Sequence, residues 1–282
     1  MWWLDWLVAS LRLSTPLLFA ATGGVISERA GVIALHLEAV LLAGAWASTL
    51  AAQATGNVWA GIGTGIVAGA LIGLLHGFLT QALRVSHILS GVALNLGLLG
   101  FTTFALRQAG GSLSTTASVS PWVLTALALF SVGLAWFVLM KTALGLRIRS
   151  LGENPRAARS AGLSVTRLRY GALAISGALT GLGGVALTLT GLGEFTENMT
   201  AGRGYIALAA VIFGRWDVRG AALAALLFGA GEGLQLSLQT AGLSEYVPPD
   251  ILGLLPYVLT LIALTVMTGK TRAPAALGDT NA

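Results

Sequence analysis

The chain has 282 residues, of which 55% are apolar and only 10% charged, with a formal net charge of +5 and a mean hydropathy of +0.82. Apolar runs recur along nearly the whole length and approach the ~20 residues that a helix needs to cross a bilayer, which predicts an all-α polytopic membrane protein and excludes a barrel of ~10-residue alternating strands. The basic balance follows the loop bias of membrane proteins and gives no reason to invoke nucleic acid, and with no cysteine the chain carries no disulfide, thiol nucleophile or thiolate metal site.

In chain order, spans are predicted at roughly 6 to 26, 32 to 53, 58 to 79, 86 to 106, 121 to 140, 170 to 192, 200 to 214, 220 to 240 and 250 to 268, about nine in all, with the seventh short. The N-terminal MWWLDWLVASLRL lacks a basic region ahead of its apolar core, so it reads as an uncleaved first span rather than a signal peptide. Gly31-Val-Ile-Ala-Leu35 opens the second span and Gly204-Tyr-Ile-Ala-Leu208 the seventh, a faint internal repeat that predicts inverted halves around the fifth span. In the third span Gly61, Gly65, Gly69, Gly73 and Gly77 recur every four residues and form one smooth ridge, as Gly177 with Gly181 and Gly229 with Gly233 do on a smaller scale. Such ridges serve tight packing or a sliding surface.

Charged side chains at membrane depth cost at least ~2.5 kcal/mol, so they face protein or a watery cavity. Glu38 in the second span and Glu232 in the eighth are open to two readings, lining a substrate path or fixing a neighbouring helix. Asn95 in the fourth span is open to the same pair. His36 and Glu38 are two residues apart and point to different helix faces, so they are not a metal pair. His76 and His87 fall near span ends, where interfacial solvation is expected and no role is assigned. The segment Gly191 to Gly204, with Glu194, Phe195, Glu197 and Asn198, reads either as a broken helix facing a cavity or as an exposed loop.

The basic segment Lys141 to Arg169 holds seven of the sixteen Lys and Arg residues. Placing it in the cytoplasm brings Arg29, Arg84, Arg215, Arg219, Lys270 and Arg272 to the same side and leaves Arg12, Arg107 and Arg203 in or near the outer half, which sets the N-terminus outside and the C-terminus inside. Within it, Asn154 suits a helix N-cap, Pro155 the first helical position and Gly162 a left-handed stop. A two-turn helix from Pro155 to Ala161, roughly 10 Å long, is too short to stand alone and needs a neighbour, for which a cytoplasmic partner's groove is the expectation and anionic lipid the alternative. After the 1 to 268 permease domain, residues 269 to 282 are expected to be a disordered cytoplasmic tail. Its Gly269-Lys270-Thr271 lacks the earlier glycine of a phosphate-binding loop, since Leu264 stands there. No catalytic constellation or metal-ligand spacing is found, so energy for uphill transport has to come from an ion gradient or another subunit.

Ser14 to Leu18, Ile26 to Gly31, Leu37-Glu38, Ser90 to Asn95, Gly152-Glu-Asn-Pro-Arg-Ala-Ala158 and Gly202 to Trp216 resemble the permease subunits of ABC importers for nucleosides, relatives of ribose and galactose permeases. The resemblance runs over nearly the whole chain. It implies a type II importer-like fold in the bacterial cytoplasmic membrane, paired with a second, related permease, a two-domain ATPase that carries ATP and Mg, and an extracytoplasmic substrate-binding lipoprotein, with no cofactor on this chain itself. It also implies that Gly152, Glu153, Asn154, Pro155, Arg156, Ala157 and Ala158, with Arg159 beside them, dock on the ATPase. Glu38, His36, Asn95, Phe195 and Asn198 are the expected path residues. One departure stands out, since Ala34, His36 and Ala39 replace an Asn and two Gly of the family's usual second span. Purine nucleosides are the expected substrates, with simple-sugar import or a stand-alone secondary transporter or channel as alternatives.

Overall fold

A computed structural model describes residues 2–190, 193–241, 254, 258 and 272–279. Its helices are α1 (Trp2–Arg29), α2 (Leu37–Thr55), α3 (Val58–Gly77, continued by a π-helical turn Phe78–Ala82), α4 (His87–Gln108), α5 (Pro121–Lys141), α6 (Ala143–Glu153), α7 (Pro155–Ser160), α8 (Val165–Thr188), α9 (Arg203–Phe213) and α10 (Val218–Thr240). Two short strands, β1 (Leu113–Ser114) and β2 (Glu194–Phe195), pair antiparallel at the end opposite the basic segment. Among the described residues, seven helices are long and apolar enough to cross a membrane. The protein is a polytopic helical membrane protein. Of the predicted span 250 to 268, only Leu254 and Val258 are among the described residues, the Val258 amide donating to Leu254 O at 2.9 Å.

The short seventh span is α9, whose 11 residues cover about 16 Å at 1.5 Å per residue, half of a ~30 Å hydrocarbon core. The second span begins later than expected. Residues 30–36 are irregular and α2 starts only at Leu37, because the chain doubles back along α1 until Leu37 and Ala34 lie beside Gly24. Irregular backbone at this depth is tolerated because protein surrounds it. The five-residue repeat therefore falls on irregular chain at Gly31–Leu35 and on helix at Gly204–Leu208, and does not mark equivalent turns.

α1 is the central helix, with Leu17, Leu18, Phe19, Ala20 and Ala21 fully buried. Its Ser10 and Ser14 meet Gly233 and Gly229 of α10, its Gly23 lies against Ser176 and Thr180 of α8, and Thr15 shares a 2.8 Å hydrogen bond with Thr125 of α5. The glycine ridge of α3 packs on α8: Gly65 faces Val185 and Gly181, Gly69 faces Gly177 and Gly181, and Gly73 faces Leu173. Around this centre, Leu89, Leu96 and Phe104 of α4 and Phe130 and Phe137 of α5 are exposed. These are the faces a bilayer would cover.

Residues 272–279 return to the helical body. Pro274 is buried, Leu277 packs on the main core, the Ala276 amide donates to Gly152 O at 2.8 Å and the Gly278 amide donates to Gly31 O at 3.0 Å. Sequence-distant backbone partners hold this stretch, which its composition does not announce.

Candidate functional site

Two helix N-termini meet inside the protein. α2 begins at Leu37 after the irregular loop, and α9 begins at Arg203 after a descending segment that contains three left-handed residues, Asn198, Ala201 and Gly202. Each start exposes amide donors and a partial positive charge that need acceptors. Glu38 supplies them to α9: one carboxylate oxygen accepts from Thr200 Oγ1 at 2.6 Å and from the Gly202 amide at 2.9 Å, and the other accepts from the Gly204 amide at 2.6 Å. Asn95 of α4 does the same for α2. Its Oδ1 accepts from the Ala39 amide at 2.9 Å, while its Nδ2 donates to Leu35 O and to the Tyr205 hydroxyl, both at 2.9 Å. A Cβ on Gly204 would sit 2.5 Å from Glu38 Cα, so only glycine lets the two starts approach this closely. Glu38 and Asn95 therefore hold neighbouring elements together, and Tyr205 joins the two caps.

The loop before α2 is fastened on its other side. Glu28 accepts from the Ala34 amide at 3.0 Å and from the indole N–H of Trp216, which lies in the α9–α10 turn. Arg29 Nε donates to Trp216 O at 2.7 Å. His76 and His87, expected at a solvated interface, are buried instead and grip Ile33. His76 Nε2 lies 3.2 Å from Ile33 O, an acceptor only, so this nitrogen carries the proton and Nδ1 accepts from Ser90 Oγ at 2.9 Å. His87 Nδ1 accepts from the Ile33 amide at 3.2 Å. The reason is the doubled-back loop, which covers both imidazoles. His36, in the turn before α2, stacks on His76 with ring centroids 4.1 Å apart. No group of three or more His, Cys, Asp or Glu with metal-holding geometry is found among the described residues.

The other predicted path residues sit elsewhere. Phe195 is buried in β2 with Leu42, Ala45, Leu106 and Leu113, and Asn198 is exposed in the following turn. Glu232 of α10 pairs with Arg203 at 3.4 Å, both side chains about one-fifth exposed (17% and 21%), which ties α9 to α10.

At the basic end, α6 and α7 form a helical elbow. Asn154 is the N-cap of α7, its Oδ1 accepting from the Ala157 amide at 3.0 Å, Pro155 is the first helical residue, and Gly162 takes φ +82°, as their local chemistry predicts. The helix ends one residue early, at Ser160. Part of its support comes from the chain itself. Pro155 and Ala158 are buried, the latter with Leu151 and Val165, while Glu153, Asn154, Arg156, Ala157 and Arg159 project outward. α6, unpredicted as a helix, carries the elbow and rests Gly152 on the end of α1.

Residues 6–264 match the family described as the branched-chain amino acid transport system permease component. The chain belongs to this permease family. It is 36% identical over 302 residues to the nucleoside ABC transporter permease protein NupC of Lactococcus lactis subsp. cremoris, covering 96% of this chain and 95% of that one. It is also 36% identical over 299 residues to the guanosine ABC transporter permease protein NupQ of Bacillus subtilis, covering 96% and 94%. A third relative, TsgC13 of Haloferax volcanii, named provisionally as a glucose ABC transporter permease, is 35% identical over 302 residues with 94% and 92% covered. The permease is thus a multi-pass membrane subunit rather than an enzyme, and ATP hydrolysis resides on a separate subunit.

Sequence reading missed Glu28, Thr200, Gly204, Tyr205 and Arg169 as parts of this assembly. Glu28 and Arg169 carried a usable signal, since each charge adjoins an apolar run and yet is buried with 2% and 1% exposure. For Thr200 and Tyr205 no signal exists, because their partners lie 162 and 110 residues away.

Proposed function

We propose that the permease imports nucleosides, purine nucleosides first, into the cytoplasm as part of an ATP-binding cassette complex. The carrying observation is full-length similarity to two nucleoside permeases, one of them for guanosine, in a chain that presents an intrinsically buttressed helix on its basic face. In this reading the basic end faces the cytoplasm, since thirteen of the sixteen Lys and Arg residues fall there on the predicted topology. The N-terminus is then outside and the C-terminus inside. Residues 196–213 cross as descending chain plus α9, and 250 to 268 add the ninth span. In this reading the inverted halves meet where irregular chain leads into α2 and α9.

The partners are an ATPase with two nucleotide-binding domains, which supplies ATP and Mg chemistry, a second related permease forming a heterodimer, and an outer substrate-binding lipoprotein. α7 docks on the ATPase through Glu153, Asn154, Arg156, Ala157 and Arg159, with Gly152, Pro155 and Ala158 behind them. The junction of Glu38 and Asn95 lies on the substrate path, with His36, Phe195 and Asn198 flanking it at greater distance. Similarity to a glucose permease keeps simple sugars as the second reading.

In proteoliposomes holding the full complex, guanosine or adenosine is expected to stimulate ATP hydrolysis and to accumulate only with ATP, whereas glucose is not. Uptake without ATP, or stimulation by sugar alone, overturns this assignment. In the double variant Glu153→Arg with Pro155→Gly, uptake per ATP is expected to fall about tenfold, within the range of typical coupling free energies. Wild-type coupling in that variant removes the docking role from α7.

A further inference from the structure

The ordered tail lies between the two parts of the molecule that transport has to connect. Its Ala276 amide donates to Gly152 O at 2.8 Å, two residues before the N-cap of α7, and its Gly278 amide donates to Gly31 O at 3.0 Å, in the loop that leads to Glu38. Between these contacts the tail is shaped by two tight turns, Leu277 N–H to Pro274 O at 3.0 Å and Asp279 N–H to Ala276 O at 3.2 Å. Pro274 closes over Gly152, and Gly278 at φ +83° lies against Ile33, the residue gripped by His76 and His87.

Arg169, at the start of α8, fixes this arrangement from behind. Its Nε donates to Ala30 O at 3.2 Å, and its Nη1 donates to Gln81 Oε1 at 2.8 Å and to Asp279 O at 3.4 Å. One buried guanidinium therefore holds the loop, the π-helical turn after α3 and the tail together. A fork of fixed donors suits such a three-way hold, because its geometry is set before the bonds form.

We propose that residues 274–279 are a positioning strap that links the α6–α7 elbow to the loop carrying Glu38, and that transport is coupled to ATP hydrolysis only while this strap is in place. The inference rests on the docking reading of α7. A displacement of the elbow reaches Gly31 through two backbone hydrogen bonds, and from Gly31 the loop runs directly to the Glu38 cap of α9. Without the strap the elbow keeps its own support from Leu151, Leu163, Val165 and Leu168. The ATPase then still docks and turns over.

The test removes residues 272–282 and compares the complete complex with wild type for ATPase co-purification, ATP hydrolysis and nucleoside uptake. The expected result is unchanged co-purification, hydrolysis within about twofold and uptake per ATP lowered about tenfold. Gly278→Val, which denies the left-handed turn and crowds Ile33, is expected to reproduce the effect in a full-length chain, and it decides the matter if the shortened chain fails to accumulate. Ala275→Ser, on the exposed side of the turn, is expected to behave as wild type. A wild-type ratio of uptake to hydrolysis in Gly278→Val overturns the strap, as does loss of ATPase co-purification in both variants, which makes the tail a docking surface instead. A lowered ratio in Gly278→Val beside a wild-type ratio in Glu153→Arg with Pro155→Gly supports the strap and places the failure in the docking of α7.

Discussion

Glu38→Ala is expected to abolish uptake and to lower the stability of the purified permease by about 3 to 5 kcal/mol, because it strands three donors, two buried and one part-buried, rather than removing one bond. The Thr200 hydroxyl and the Gly202 and Gly204 amides all donate to the carboxylate. Loss of the negative charge also leaves the positive end of α9 uncompensated in a medium of low dielectric. Glu38→Gln is expected to fall between, since its amide keeps one acceptor oxygen but turns a donor toward the others. Thermal unfolding in detergent and uptake in proteoliposomes measure the two effects. A Glu38→Ala protein that melts with the wild type would remove the capping role and return Glu38 to a purely path-lining reading.

Gly69→Val is expected to prevent accumulation of folded protein, through separation of α3 from α8. A Cβ there lies 2.8 Å from Gly181 Cα and still closer to Gly177 O, both backbone atoms that cannot swing aside as a side-chain tip would. Overpacking typically costs 1 to 3 kcal/mol, and contact with fixed backbone puts this site at about 3 kcal/mol or more. Gly63 on the same helix provides the contrast, since nothing lies within 4 Å of a Cβ built on it. Gly63→Ala is therefore expected to be neutral or to stabilise by up to about 1 kcal/mol through the lower helix propensity of glycine. Comparable membrane levels and melting temperatures for Gly69→Val and Gly63→Ala would refute the close approach of the two helices. The alternative of a sliding surface predicts something different, a stable protein with altered transport.

The features legible in the sequence are those whose physics is local. Asn154, Pro155 and Gly162 mark the two ends of α7 because a cap is formed within three or four residues of its helix. The four-residue glycine period of α3 marks a face for close approach because helical periodicity alone puts those residues in one row. Glu38 and Asn95 were visible as costly polar groups at membrane depth, although which helix each one holds was not. Where the reading failed, the cause was a contact between distant segments. His76 and His87 look interfacial by position, and they become buried only because residues 30–36 fold back over them. The tail looks disordered by composition, yet backbone groups at Gly152 and Gly31 hold it, and backbone hydrogen bonding leaves no trace in side-chain identity.

The sequence by itself determined that this is a polytopic helical membrane protein, where its long spans run between residues 1 and 240, and where a short capped helix stands on its basic face, since hydropathy, periodicity and capping are all properties of contiguous chain. Only the tertiary structure decided that α2 and α9 begin at a common buried junction, that Glu38 and Asn95 cap them, and that the tail returns to join the elbow to that junction. Those arrangements depend on donors and acceptors far apart in the chain, 56 residues for the Asn95 cap and 162 for the Thr200 bond to Glu38, whose pairing is selected by packing of the whole chain and not by any segment of it.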